Sequence, residues 1–383
     1  MLFDRDLKGD RLPEKTLCLT YDDGPGQTAG DGPGPHTLEL GHYLYEHKIR
    51  AAFFVIGKHA REEPNTLAQL QAWGHIIGNH TFNHPGLVAT AQQPAEVIKE
   101  IAQTDAIIRD FVSSETVFLR PPYGNWREKR ASDPQQDKTS SIVADILNRS
   151  GQFNHYVGPI NWDISAADYD FWKRAAPAEE CAQAYLRKIE TKRKGIVLMH
   201  DSSNLEEIRT GNRTLETTKL IVPVLKNEGF RFVGLDSIPQ VQSAQRVSFQ
   251  LTLMTRQGEY LACTGECDDL ALRPLAEPLW RAFGVVQLQG NKIALRASNG
   301  QYVSVRSNQR GEVSATGVSL GEAETLEMEP VEAGQVALRT AKGLYWTRDS
   351  DRADKIIARN PCLREAEVFV LRRLFEEPQV GLF

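Results

Sequence analysis

The feature of this chain that most limits its fold is a repeat. Residues 251–261, 293–303 and 336–346 (LTLMTRQGEYL, IALRASNGQYV and VALRTAKGLYW) align without gaps. Gly258, Gly300 and Gly343 lie 42 and 43 residues apart, and Tyr260, Tyr302 and Tyr345 keep the same intervals. A second anchor, Phe283, Leu326 and Phe369, recurs at 43 and 43. Each copy has short alternating strands and no long helical pattern, and a fixed period of this size marks units that share one core. The glycine of each copy falls where a tight turn needs φ > 0. The aromatic two residues later falls on one face of the next strand.

Three copies built of short strands are what a three-fold β-trefoil requires, and residues 241–383 are expected to form one. This segment has 14 Arg, 3 Lys and 18 acidic residues. It is near neutral, with no net field to steer a polyanion. Residues 1–240 follow another pattern. Apolar runs at 15–21, 50–57, 75–80, 116–120, 155–162, 195–200 and 230–235 alternate with helical spacing at 38–47, 64–74, 94–111, 178–194 and 214–228. Pro64 suits the start of a helix and Gly74 its end. About seven strand–helix units in series argue for a parallel sheet, open or closed into a barrel. At 383 residues the chain has room for about two to three domains. The two patterns resolve that to two, at 1–240 and 241–383.

Composition narrows the function. Hydrophobic residues at 41% and charged residues at 25% suit a soluble globular protein. No window approaches the roughly 18 apolar residues of a spanning helix. A net charge of −5 gives no basic footprint for nucleic acid. The cysteines, Cys18, Cys181, Cys263, Cys267 and Cys362, are odd in number and scattered, so buried or free thiols are expected rather than a disulfide framework. The N-terminal MLFDRDLKGDRLPEKT lacks the apolar core of a secretory signal. The compartment therefore stays open: cytoplasmic as the chain stands, or extracellular or periplasmic if an export segment is removed. All nine histidines lie at or before His200. Metal or proton chemistry, if present, belongs to the first domain.

Five stretches there carry candidate chemistry, each at the C-terminal end of an expected strand, where active sites gather in β/α barrels. Asp22 and Asp23 stand together in TYDDGP. Two like charges so close call for a cation, one carboxylate binding a metal and the other left as a base, although such a pair before Gly-Pro also occurs as a plain turn. His80 and His84 are four apart, which on a helical turn puts both on one face. With Asp23 they make the three-ligand set of a catalytic zinc site; ordinary surface or core histidines are the alternative. In RPPYG the prolines stiffen the loop around Tyr123. Arg120 can keep a neighbouring Asp ionised, and a fixed backbone N–H can stabilise an oxyanion. Trp162-Asp163 is followed by Asp168-Tyr169. Finally, LMH ends in His200, a candidate general acid opposite a carboxylate–metal site.

In this order, the five stretches resemble the polysaccharide deacetylases of carbohydrate esterase family 4, across roughly residues 13–236. The resemblance implies a distorted (β/α) barrel with an incomplete repeat number. The family removes acetyl groups from N-acetylglucosamine polymers such as chitin and peptidoglycan, or from O-acetyl xylan. By resemblance, Asp22 is the base, and Asp23, His80 and His84 hold a divalent metal, zinc first, with cobalt, nickel or iron as alternatives. Arg120 orients Asp22, the Tyr123 N–H and the metal hold the oxyanion, and His200 protonates the leaving amine. Asp168 keeps His200 charged, with Asp163 as the other candidate, and Leu198, Trp162 and Tyr169 line the substrate pocket. Three departures stand out: Tyr21 for Phe, Tyr169 for Trp, and a glycine-rich insertion at 26–36 beside the site. The expected partner is an acetylated glycan. A contrasting reading makes the barrel inert and the trefoil a glycan- or protein-binding module. The glycine–aromatic repeats resemble fascin-like trefoils, and the Gln-x-Trp signature of ricin-type lectins is missing.

Overall fold

The computed structural model describes the chain except residues 1, 115, 128–140, 246, 264–269, 275–280, 289–290, 307–309, 333, 365–367 and 375–383. Cys267 lies outside the described residues; Cys18 and Cys181 are buried free thiols, Cys263 is buried and Cys362 is an exposed thiol. Two compact units emerge, one of Asp6–Trp126 and His155–Gln242, the other of Met1–Arg5, Arg127–Asn154 and Ser243–Phe383. This division differs from the expected split at residue 240 over Met1–Arg5 and Arg127–Asn154. The reason is local to the second unit. The Asn148 side chain accepts from the Leu2 N–H at 3.2 Å and donates to the Leu2 carbonyl at 2.9 Å, tying the chain start to the helix Ile142–Arg149.

After β1 (Leu2–Leu7), the first unit builds on parallel strands: β2 (Thr16–Asp22), β3 (Ala52–Val55), β4 (Ile76–Asn79), β5 (Val117–Phe118), β6 (Tyr156–Ile160), β7 (Lys194–His200) and β8 (Arg231–Phe232). The sequences of β2, β3 and β4 are buried along their whole length, as expected of a parallel sheet covered on both faces. The order β4-β3-β2-β7 extends by parallel bridges Asn79↔Leu119 and Ile164↔Val197, with β5 pairing β6. These links carry the pairing around a circuit. Register then fixes the site. Asp22 pairs with Phe54 on one side and His200 on the other, and Val55 pairs with Asn79. Asp22, His200, the residue before His80 and the residue before Arg120 thus reach one level at the strand ends. Helices Thr37–Glu46, Pro64–Ala72, Pro94–Ile108, Ala178–Lys192 and Thr214–Asn227 occupy the expected intervals.

Beyond the helix Ile142–Arg149 the second unit is built of strands, β9 (Val247–Thr255), β10 (Tyr260–Cys263), β11 (Leu270–Arg273), β12 (Phe283–Gln287), β13 (Lys292–Arg296), β14 (Tyr302–Val305), β15 (Val313–Gly317), β16 (Leu326–Glu332), β17 (Gln335–Thr340), β18 (Tyr345–Arg348), β19 (Ile356–Asn360) and β20 (Val368–Leu374). Pairings run β9-β12-β13-β16-β17-β20 and return to β9, a closed ring of six antiparallel strands. Three hairpins, β10–β11, β14–β15 and β18–β19, hang from it. The repeat is visible in the register: Tyr260 pairs with Met254, Tyr302 with Arg296 and Tyr345 with Arg339. Gly258, Gly300 and Gly343 have φ of 86°, 76° and 79°. Leu253, Leu295 and Leu338, with Phe283, Leu326 and Phe369, pack one core.

Candidate active site

The site begins with β2. Its last residue, Asp22, is buried, and Arg120, fully buried after β5, donates to Asp22 Oδ1 at 2.6 Å and to Thr20 Oγ1 at 2.8 Å. Arg120 Nε also donates to the Ile160 carbonyl at 3.2 Å, and the guanidinium lies over the Phe54 ring at 4.2 Å. So short a charge-assisted bond in a buried setting fixes the position of the carboxylate. Asp23 turns away from the strand at φ 75°, and its carbonyl accepts from His59 Nδ1 at 2.8 Å. Gly24 is needed because a Cβ there would fall 2.1 Å from Asp201 Oδ2.

His80 and His84 do meet, but a helical turn does not bring them together. They lie in a loop after β4, with Thr81 and His84 at φ 68° and 67°. Polar side chains hold this shape. Asn79 Oδ1 accepts from the Thr81 N–H at 2.8 Å, and Thr81 Oγ1 from the His84 N–H at 3.0 Å. Glu100 Oε2 accepts from the Phe82 and Asn83 N–H groups at 3.0 and 2.8 Å, and its Oε1 from Asn83 Nδ2 at 2.7 Å. Sequence reading overlooks Glu100, Asn79 and His59. Glu100 had a signal: it is an acid on the buried stripe Val97, Ile101, Thr104, Ile108 of its helix.

Asp23 Oδ1 lies 3.1 Å from His84 Nε2 and 3.5 Å from His80 Nε2. It is buried with no other hydrogen-bond partner. The potential ligand atoms of the three residues all fall within 4.8 Å of one another. His80 Nδ1 sits 2.7 Å from the Arg120 carbonyl, which can only accept. Nδ1 therefore donates, and this bond turns Nε2 toward Asp23, as the backbone carbonyl behind a ligating imidazole does. A carboxylate with an unmet oxygen and two converging imidazoles suit a divalent cation.

Opposite stands His200. Its Nδ1 is 2.8 Å from Asp168 Oδ1, and its N–H donates to Asp168 Oδ2 at 2.6 Å. Burial opposes charge on the imidazole, but the Asp168 carboxylate outweighs it and the pKa is pushed up to about 10. Asp163 is elsewhere. Its Oδ2 accepts from the Gly9 and Ile196 N–H groups at 2.7 and 2.8 Å, a backbone latch. Asp201, another residue that sequence reading overlooks, accepts from the Thr37 hydroxyl at 2.5 Å, and burial raises its pKa to about 7.

The remaining expected residues surround these groups. Tyr123 is 72% exposed at φ 59°, with its hydroxyl 3.2 Å from His84 Nδ1. Around it, Gly124 donates to the Pro121 carbonyl and Asn125 to the Pro122 carbonyl. Tyr169 turns its ring edge-on to His200 at 5.7 Å. Trp162 lies against Gly124, and its ring is 5.9 Å from the Arg120 guanidinium. Leu198 is buried in β7. The insertion folds as a hairpin closed by the Gln27↔His36 bridge.

Several known proteins are similar to this chain. The family model described as polysaccharide deacetylase matches residues 9–137. A chitooligosaccharide deacetylase of Rhizobium leguminosarum bv. trifolii is 31% identical over 234 residues, which is 59% of this chain and 92% of that protein. A peptidoglycan-N-acetylglucosamine deacetylase of Bacillus cereus is 26% identical over 230 residues, 60% of this chain and 70% of that protein. Among solved structures, a chitin deacetylase from the fungal pathogen Colletotrichum lindemuthianum matches with a TM-score of 0.44 at 22% identity, covering 62% of this chain and 91% of that one. The chain therefore belongs to the polysaccharide deacetylase family.

Proposed function

We propose that the chain is a metal-dependent N-deacetylase of N-acetylglucosamine-containing oligo- or polysaccharides. The observation that carries this is the opposition of two differently tuned groups across one candidate metal site. Asp22 is clamped by Arg120, and His200 by Asp168. Zinc is the favoured ion, held by Asp23, His80 and His84. When bound, such an ion polarises the acetyl carbonyl and makes water more acidic.

The protein's own groups do the rest. Asp22 takes a proton from the attacking water as its oxygen bonds to the acetyl carbon. The Tyr123 N–H faces the developing oxyanion. His200, kept charged by Asp168, gives its proton to the sugar nitrogen as the C–N bond breaks, so acetate and a free amine leave. A base that must be ionised and an acid that must be protonated give a bell-shaped pH dependence. Leu198, Trp162 and Tyr169 are read as walls of the acetyl and sugar pocket.

The first unit is read as a distorted (β/α) barrel with fewer than eight complete repeats, supported by its circuit of parallel pairings. The second is read as a β-trefoil, supported by the six-strand ring, three hairpins and threefold core. Acetate release from chitooligosaccharides, peptidoglycan and acetylated xylan tests the activity. Release from the first two substrates, and its loss in His200→Ala, is expected. Acetate from xylan alone would replace the reading with an O-acetyl esterase. No acetate from any of them would leave the chain as a binding protein.

A further inference from the structure

Several cations of the all-β unit meet carboxylates. Arg273 meets Asp354 at 3.4 Å, Arg339 meets Glu327 and Glu329, and Arg348 meets Glu259. Arg352 meets Glu312 at 2.7 Å and Asp349 at 2.9 Å. Arg306, Arg310, Lys342 and Arg359 behave differently. They line one cavity of about 500 Å³. Among the described residues, none of the four has a carboxylate within ion-pair distance.

Backbone contacts bring them together. Gly311, at φ 64°, runs so close to β19 that a Cβ would fall 2.3 Å from the Ala358 carbonyl oxygen. The Ala358 N–H donates to the Gly311 carbonyl at 2.8 Å, which sets Arg310 and Arg359 on adjoining strands of chain. Lys342 rides a turn closed by Gly343 N–H to the Thr340 carbonyl and Thr340 N–H to the Leu344 carbonyl, both 2.9 Å. The Arg306 N–H donates to the Glu312 carbonyl at 2.8 Å, and its Nε to Ser314 Oγ at 3.2 Å. Glu312, the acid beside this group, is already engaged by Arg352. Among the described residues, Glu322 is the one acidic lining residue.

Four lining cations against one lining acid leave a local positive excess, although residues 241–383 as a whole hold 17 basic and 18 acidic residues. Charges of one sign gathered at one concavity raise each other's energy, and an anion that enters removes that cost. Guanidinium groups suit carboxylate and phosphate oxygens in particular. Val305 and Leu344 give the cavity an apolar side for the body of a ligand. We propose that this cavity binds an anionic saccharide through its carboxylate or phosphate groups. The anion follows from the lining alone, whereas the saccharide rests on the deacetylase reading.

Titration calorimetry of the full chain at low salt tests this, with hexagalacturonate as the carboxylate probe and inorganic phosphate as the phosphate probe. Binding of at least one is expected, weakening as salt screens it. The exposed double variant K342E/R359E is expected to lose about tenfold or more in affinity. Its melting curve and its acetate release from neutral chitohexaose are expected to match wild type. The proposal is overturned if the wild type binds neither probe, or if the double variant binds as tightly as the wild type. Absence of acetate release from both proteins would count against the deacetylase reading while leaving the binding result readable.

Discussion

The two units bury polarity in opposite ways. In the α/β unit, charged groups are taken out of water together, at one level: Asp22, Asp23, His80, Arg120, Asp168 and Asp201 are all buried. The all-β unit spreads its interior over three equivalent sets of apolar side chains, and several of its arginines pair with carboxylates. Concentrated buried charge costs stability and is tolerated where chemistry uses it. A repeated apolar core instead supports a scaffold whose parts are interchangeable.

This contrast breaks most sharply at Asp22. Asp22→Asn is expected to lower acetate release by about 10²- to 10⁴-fold, the usual worth of a general base, with the protein still folded. Comparable loss of stability with little loss of rate would make the buried charges structural. Asp168→Asn examines the other side of the site. The Asp168 carboxylate raises His200 against the effect of burial. Without it the imidazole loses its proton at lower pH, so the alkaline limb of the rate profile moves down. The same shift has a stability counterpart. The contribution of charged His200 is full below its ordinary pKa near 6.5 and is lost as pH rises toward about 10. Urea melts of wild type and Asp168→Asn across that window should converge as the pH rises.

In the all-β unit the expected effect is on stability instead. Phe283→Ala should cost about 3–5 kcal/mol in denaturant unfolding, while acetate release from soluble chitohexaose is kept. Glu100→Ala returns to the first unit with a smaller effect. Freed from the carboxylate, the loop of His80 and His84 should bind zinc about 10- to 100-fold more weakly, as read by competition with a fluorescent chelator. Unchanged zinc affinity would show that the loop holds its shape without Glu100. Smallest of all, Gly300→Ala meets no neighbour within 4 Å but keeps φ at 76°. It should cost about 1 kcal/mol, measured by thermal melting.

The same contrast governs what could be read from the sequence. The repeat period carries straight into structure, because each copy solves one packing problem in one way: Tyr260, Tyr302 and Tyr345 even pair with equivalent partners. The five strand-end motifs were legible because strand periodicity predicts where each run stops. The shape of the loop between His80 and His84 was not, since a four-residue spacing fits a helical turn as well as a loop with two positive φ values. Choosing between Asp163 and Asp168 required tertiary contacts: the first caps the Gly9 and Ile196 N–H groups and the second holds His200. Glu100 and Asp201 act across the fold, on backbone far away in sequence, and no local pattern announces such a partner. Residues 127–154 carried no element in the sequence reading, yet Ser141 caps a helix there by accepting from the Ala144 N–H at 3.1 Å.

The central claim is that Asp23, His80 and His84 hold the ion on which deacetylation depends. Acetate release from chitohexaose, followed before chelation, after chelation and after zinc is returned, tests it most directly. Release abolished by the chelator and restored by zinc in wild type, with no restoration in His80→Ala, is the expected result. Undiminished release from the chelated protein would contradict it.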